Sequence, residues 1–179
     1  PVYWCPKDET ALAEAEIEYQ DDPCTTVYVK FQVRDDLGKL SQYGDLSKMY
    51  FVIWTTTIWT LPGNLAIAVH PRESYVLVKA DNGEMYIMAE ALCAKVMKIG
   101  GFENYEIVKQ FKGADFEYML AQHPFLDKTS QLCTAEYVTM DSGTGCVHTA
   151  PGFGADDYET CKRYKLSLIH ISEPTRLRR

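Results

Sequence analysis

The chain has 179 residues, of which 46% are hydrophobic and 24% charged, and its formal net charge is −7. That length supports one domain with a real core and is short for two, and the composition is that of a folded globular chain rather than a disordered one. No apolar run approaches the roughly 18–20 residues of a membrane-spanning helix. The acidic balance excludes a broad basic field for gripping nucleic acid, so any RNA contact is local or shared with other parts of a larger protein.

The first residues, Pro1 to Asp8, carry no basic start followed by an apolar stretch, so no signal peptide is expected. The sequence opens on Pro1 rather than Met, and we expect it to start inside a longer protein or after processing. Its six cysteines, Cys5, Cys24, Cys93, Cys133, Cys146 and Cys161, form no C-x-x-C pair and read as reduced thiols of a cytoplasmic protein. Cys5-Pro6-Lys7-Asp8 comes nearest to a metal knuckle, but it offers one ligand where zinc takes about four, and no metal is expected.

Ala11–Tyr19 alternates with period two and reads as a strand, although its Ala-Glu richness also suits a helix. Val27–Arg34 is a clearer strand, turned by Asp35-Asp36-Leu37-Gly38. Tyr50–Trp54 is a continuous apolar run, as in a buried strand, and leads directly into Thr55-Thr56-Thr57. After the turn Leu61-Pro62-Gly63-Asn64 comes a short buried strand, Leu65–Val69. Tyr75–Lys79 and Met85–Met88 flank Asp81-Asn82-Gly83, a hairpin signal because Asn-Gly suits the φ > 0 positions of a tight turn.

Ala89–Ile99 has a helical period, with Leu92, Val96 and Ile99 on one face and Gly100-Gly101 as its stop. Tyr105–Phe111 reads as a strand, Phe116–Gln122 as a short helix and Thr134–Met140 as a strand. A glycine-rich stretch, Gly143–Gly154, then leads to a helix over Asp156–Tyr164, whose first acidic residues favour the positive end of its dipole. Many short strands with few helices give an α+β, mainly β domain, its sheet closed or nearly closed as a β-barrel. Residues 166–179 share no pattern with what precedes them. From Leu166 to Arg176 they resemble the conceptual translation of a transposase adapter used in sequencing libraries, so His170 and the Arg cluster are expected to carry no function.

Two polar constellations stand out against the strands. In Trp54-Thr55-Thr56-Thr57-Ile58-Trp59-Thr60-Leu61-Pro62-Gly63-Asn64, hydroxyls and an amide crowd a strand-to-turn junction beside two indoles. Threonine also simply fits a pleated strand, so the run alone decides nothing. In Gly143-Thr144-Gly145-Cys146-Val147-His148-Thr149-Ala150-Pro151-Gly152-Phe153-Gly154-Ala155-Asp156-Asp157, the glycines allow close backbone approach, His148 sits in a loop-bounded strand, and the Asp pair opens a helix. A structural histidine and a helix-capping carboxylate are the plain alternatives for His148 and the Asp pair.

Together these stretches resemble the editing domain inserted into class I isoleucyl-tRNA synthetases. Pro1-Val2-Tyr3-Trp4-Cys5 and the alternating run after it look like the segment leading into that insertion. The resemblance covers Pro1 to about Leu166, with 1–20 as the lead-in and 21–165 as the domain itself. The related valyl and leucyl enzymes carry a Thr-Thr-Arg-Pro pattern where this chain has Thr56-Thr57-Ile58-Trp59. One departure is Ile58, where the family usually has proline; a loosened turn is expected rather than loss of the site.

The resemblance implies hydrolysis of the ester between valine and the tRNA for isoleucine, at a 3′ end carrying the wrong amino acid. The catalytic set it implies is Thr55, Thr56, Thr57 and Asp157, with Asp157 pairing with the substrate's α-ammonium. Trp59 and His148 would wall the side-chain pocket, Thr60 would add a hydroxyl, and Asn64 would lie near the terminal adenosine. His148 is not expected to act as a general base. Editing is expected to use no metal or other cofactor; ATP and Mg belong to the synthetic domain, whose His-Ile-Gly-His and Lys-Met-Ser-Lys-Ser signatures are absent. The expected partners are the tRNA and the rest of the synthetase, with neither DNA nor a membrane.

Two other readings fit parts of the chain. Asp141-Ser142-Gly143-Thr144 matches the Asp-Ser/Thr-Gly pattern of aspartic proteases, which need two such carboxylates, and it occurs once. A non-catalytic module that contacts tRNA without deacylating it is the other, and acidic charge makes weak tRNA affinity expected in either case.

Overall fold

The computed structural model describes residues 2–21 and 23–166, so the adapter-like tail lies outside the described residues from residue 167 onward. A small antiparallel hairpin comes first, β1 (Tyr3–Cys5) on β2 (Thr10–Leu12). The strand expected over Ala11–Tyr19 stops at Leu12 and gives way to a 3₁₀ turn, Glu14–Glu16. Its alternation has no face to bury: only Leu12 and Ile17 are even partly covered.

The main sheet is built from β3 (Val27–Asp35), β4 (Met49–Thr55), β5 (Ala66–Val69), β6 (Ser74–Ala80), β7 (Met85–Ala89), β8 (Tyr105–Lys112), β9 (Leu120–Gln122), β10 (Thr129–Thr134) and β11 (Cys146–Thr149). Their order is β11-β5-β10-β9-β3-β4-β7-β6-β8, and a further pairing of β11 with β4 closes the first six into a barrel. The closing contact is a single parallel register pair, Val147 opposite Trp54. β7, β6 and β8 continue outward from β4 as a three-stranded flap, and the helix α1 (Glu90–Ile99) packs on it. A second helix, α2 (Ala155–Arg163), follows β11. Among the described residues no helix is long and apolar enough to cross a membrane.

The strand pattern explains the core. Phe31 and Val33 of β3, Phe51 and Ile53 of β4, Ile67 and Val69 of β5, and Leu132 of β10 are 0–2% exposed, the inward set that period-two alternation selects. Phe116 joins barrel to flap, meeting the rings of Phe51, Tyr75 and Phe111 at centroid distances of 5.3, 5.8 and 5.3 Å.

Three expectations need correction. Phe116–Gln122 is not a helix: a 3₁₀ turn, Gly113–Phe116, is followed by β9. Tyr118 stands at φ +68 and donates its N–H to Leu132 O at 2.9 Å, so pairing with β10 overrides local helical preference. The strand expected over Thr134–Met140 lies earlier, as β10, and Ala135 and Val138 pack in a turn against Ala68. Ile99, expected on the buried face of α1, is 54% exposed, while Leu92, Cys93, Val96 and Met97 are buried.

β4 is the forked strand. The edge that faces away from β3 pairs with β7 over Met49–Phe51 and with β11 at Trp54. The segment Gly143–Gly145 runs through the fork: Ala89 N–H donates to Thr144 O at 2.8 Å, and Tyr75 O–H donates to Gly145 O at 2.6 Å. Gly145 has φ +74, and a Cβ there would stand 2.4 Å from that of Ala89. Gly145→Ala is therefore expected to lower the unfolding free energy by about 2–3 kcal/mol, from overpacking and a left-handed backbone together. Urea denaturation measures this, and an unchanged midpoint would refute the close packing at the fork.

Candidate active site

Where β4 and β11 leave the fork, a cavity of about 640 Å³ opens between them, within the range of small-molecule sites. Trp54 to Thr57 and Trp59 to Thr60 line one side. Ser142 to His148, Tyr137, Thr139, Phe153 and Asp157 line the rest.

The threonine run turns out of β4 in a way its own hydroxyls enforce. Thr55 Oγ1 accepts the N–H of Thr57 at 3.1 Å, which bends the chain at the strand end. A 3₁₀ turn over Ile58–Gly63 then brings Thr60 back towards the barrel. The hydroxyls form a row, with Thr55 to Thr57 at 3.4 Å and Thr57 to Thr60 at 3.5 Å. His123 anchors the turn from below, donating from Nε2 to Leu61 O at 2.9 Å, and Lys128 Nζ donates to Pro62 O at 2.6 Å. Thr55 and Thr60 are buried, whereas Thr56 and Thr57 are exposed towards the cavity.

His148 lies on β11 opposite Ile67, a register that sets it beside the residues leading into β5. Nε2 is 3.0 Å from Thr60 Oγ1 and Nδ1 is 2.7 Å from Asn64 Nδ2. An amide nitrogen can only donate, so Nδ1 accepts and the ring proton sits on Nε2, directed at Thr60. The Thr60 hydroxyl in turn donates to Thr57 O at 2.8 Å. Burial holds the imidazole down from 6.5 to about 4, with His123 and Lys128 adding to the effect. With Nδ1 accepting from Asn64 and Nε2 carrying the proton, the neutral ring has no free lone pair towards the cavity.

Asp157, in the first turn of α2, accepts the N–H of Ala150 at 2.9 Å through Oδ2. Burial raises its carboxyl, the Ala150 N–H offsets part of that, and Asp156 adds to it. The positive end of α2 favours the charged form there. Cys146 also lines the cavity, but its thiol is fully buried and pushed far up by burial, so it is no nucleophile. Asp141 is exposed and outside the lining, which leaves the cavity without the carboxylate pair of an aspartic protease. Among the described residues no three His, Cys, Asp or Glu side chains gather as a metal group, and Cys5 Sγ donates to Asp8 Oδ2 at 3.2 Å.

Seven of the eight residues singled out in the sequence thus border one cavity. The exception is Asn64, expected near an adenosine: it is 0% exposed and lies outside the lining. Its amide is consumed inside the protein, donating to Ala66 O at 2.8 Å and to His148, and accepting from Ser130 Oγ. Trp59, expected as a wall, is 72% exposed and stands with Phe153 at the mouth. Tyr137 and Thr139 also line it, although the strand period over Thr134–Met140 hides the turn that carries them, and Ser142 enters from the Asp141-Ser142-Gly143-Thr144 stretch.

The family of leucyl-tRNA synthetase editing domains matches residues 27–178. The chain belongs to the editing-domain family of aminoacyl-tRNA synthetases. It is 54% identical over 171 residues to an isoleucine–tRNA ligase of Caldicellulosiruptor bescii, a match covering 94% of this chain and 18% of that protein. An isoleucine–tRNA ligase of Thermoanaerobacter sp. strain X514 is 52% identical, covering 95% of this chain and 18% of its own length. The chain therefore spans under a fifth of these relatives, their editing part alone. Among solved structures, the Plasmodium knowlesi cytosolic leucyl-tRNA synthetase editing domain superposes with a TM-score of 0.66 at 15% identity, covering 83% of this chain and 67% of that one. The P. falciparum counterpart gives 0.63 at 13% identity, covering 82% and 71%. At such identities the likeness is one of fold, and it is the same mainly β barrel.

Two predictions follow from the geometry of this editing domain. Unfolded, the His148 imidazole takes a proton near 6.5; folded, it resists until about 4. The unfolded chain binds the extra proton between those values, so the stability given by the neutral ring is complete above pH 6.5 and lost as pH falls to 4. His123, also lowered by burial, acts in the same direction. The thermal midpoint should fall across this window, and less steeply in His148→Gln; parallel pH profiles would refute the assignment. Ile58, half exposed, is the first residue of its 3₁₀ turn, a position that accepts proline. Ile58→Pro is expected to raise stability by about 0.4–1 kcal/mol through the unfolded chain, and a lower melting temperature would contradict it.

Proposed function

We propose that the domain hydrolyses the ester that joins a wrongly attached valine to the 3′ end of the tRNA for isoleucine. The observation that carries this reading is one cavity shared by a single carboxylate, a row of hydroxyls and a neutral histidine wall. The carboxylate of Asp157 suits the α-ammonium of an aminoacyl group. Thr55, Thr56 and Thr57 supply hydroxyls to the ester carbonyl and to the attacking water. His148 and Trp59 bound the space for the side chain.

The need for such a site is energetic. A synthetic pocket rejects a substrate one methylene smaller by only about 1–3 kcal/mol, for which isoleucine against valine is the standard illustration, so a second sieve removes the error. In the step, water adds to the ester carbonyl, the bond to the ribose oxygen breaks, and that oxygen leaves with a proton. The products are free valine and uncharged tRNA. Because no side chain in the cavity is placed as a strong base, the neighbouring ribose hydroxyl of the substrate is the natural group to relay the proton. The step as written draws on water alone, without metal or other cofactor, while ATP and Mg would serve only the synthetic domain.

The identity to isoleucine–tRNA ligases supports the choice of tRNA and amino acid. Its partners in this reading are that tRNA and the rest of the synthetase, in the cytoplasm. With a net charge of −7 over its 179 residues, the chain alone should bind tRNA weakly. The test is therefore made at high domain concentration, with valyl- and isoleucyl-tRNA side by side. Selective loss of the valyl ester is expected, reduced about 100-fold in Asp157→Ala, the cost of one charge-assisted contact. His148→Ala should extend cleavage to the isoleucyl ester. A folded sample inert towards both esters would leave only a binding module.

A further inference from the structure

Behind the cavity wall lies a second layer of hydrogen bonds that substrate does not reach. Ser130, on β10, is fully buried, and its register fixes it beside Asn64: Gln131 pairs with Ala66, and Gln131 N–H donates to Leu65 O at 3.0 Å. The Ser130 hydroxyl donates to Asn64 Oδ1. Ala66 O, at 2.8 Å, takes one hydrogen of the amide nitrogen and His148 Nδ1, at 2.7 Å, takes the other. Both polar atoms of the Asn64 side chain are thereby engaged, and their three partners stand on three different strands of the barrel, β10, β5 and β11. A flipped amide would set its oxygen against Ala66 O, and a ring protonated on Nδ1 would set donor against donor.

We propose that Ser130 is a positioning residue for the editing cavity, acting through Asn64 to hold the His148 ring in one place and as its Nε2–H tautomer. Its effect on selectivity rests on the hydrolytic reading above; the tautomer rests on the hydrogen-bond geometry alone. Removing the serine hydroxyl leaves Asn64 Oδ1 buried without a donor, so the amide is pulled out of line with the ring. The ring is the wall that separates side chains differing by one methylene, and a small displacement of a wall is felt in discrimination. The ionisable groups that bear on the ring are His123, which follows β9, and Lys128, which directly precedes β10, the strand of Ser130.

The experiment is long-range ¹H–¹⁵N spectroscopy of the His148 ring in the 179-residue chain, paired with deacylation of valyl- and isoleucyl-tRNA. The wild-type ring is expected to show a pyridine-like Nδ1 and a pyrrole-like Nε2. In Ser130→Ala the two signals should move towards each other as the second tautomer gains population, and Ser130→Thr, which keeps the hydroxyl, should restore them. Preference for the valyl ester should fall about tenfold in Ser130→Ala, the rate equivalent of one hydrogen bond, and recover in Ser130→Thr. Should Ser130→Ala not fold, Ser130→Cys keeps the volume with a weaker donor and is read in the same way. A wild-type proton on Nδ1, or a ring indifferent to the loss of the hydroxyl, overturns the proposal. A ring that responds while selectivity does not overturns its bearing on the reaction. If the wild type cleaves neither ester but the spectra behave as expected, the hydrolytic reading fails and the positioning of His148 stands.

Discussion

A β-strand has two edges, and β4 asks one of them to serve two partners. β7 takes its first half and β11 takes its end at Trp54, so the two strands must diverge from a common line. The gap cannot be filled by further sheet, and the chain that crosses it, Gly143–Gly145, is held there by Ala89 N–H and the Tyr75 hydroxyl. The cavity opens beyond that fork, and its two walls are the stretch that leaves β4 and the stretch that leads through Gly143–Gly145 into β11.

Polar groups in such a gap are costly unless each finds a partner. Here they are arranged in two grades. The deeper grade, Ser130, Asn64, His148 and Thr60, is satisfied within the protein and turned to shape. The shallower one, Thr56, Thr57 and Asp157, keeps capacity to spare on the cavity side. Burial raises the Asp157 carboxyl, and the Ala150 N–H offsets part of that.

The sequence made the long strands of barrel and flap plain, because β3, β4 and the β6–β7 hairpin combine the right period with β-branched and aromatic residues. It misread the segments whose conformation is decided from elsewhere. Phe116–Gln122 has helical spacing, yet β10 and β3 claim its end as a strand; Ala11–Tyr19 has strand spacing, yet mostly lacks a partner to pair with. The site was legible for the same reason as the long strands, since its two stretches are continuous in sequence and crowded with unusual residues. Asn64 was misplaced because an amide in a turn looks the same whether it faces a ligand or a histidine. Ser130 could not be seen at all: a lone serine in a strand acquires meaning only when parallel pairing of β10 with β5 sets it against Asn64.

Barrel closure through one pair, Val147 with Trp54, also has a temporal side. The two residues stand far apart along the chain, and the parallel pairing of β10 with β5 spans a similarly long stretch. Loop-closure entropy makes such contacts late ones, formed after the local β6–β7 hairpin and the β3–β4 pair have gathered the core. The seam that zips last is also the seam that borders the cavity. The cavity is thus assembled at the final stage of folding, and a chain stalled short of that stage would carry nearly all of the core without it.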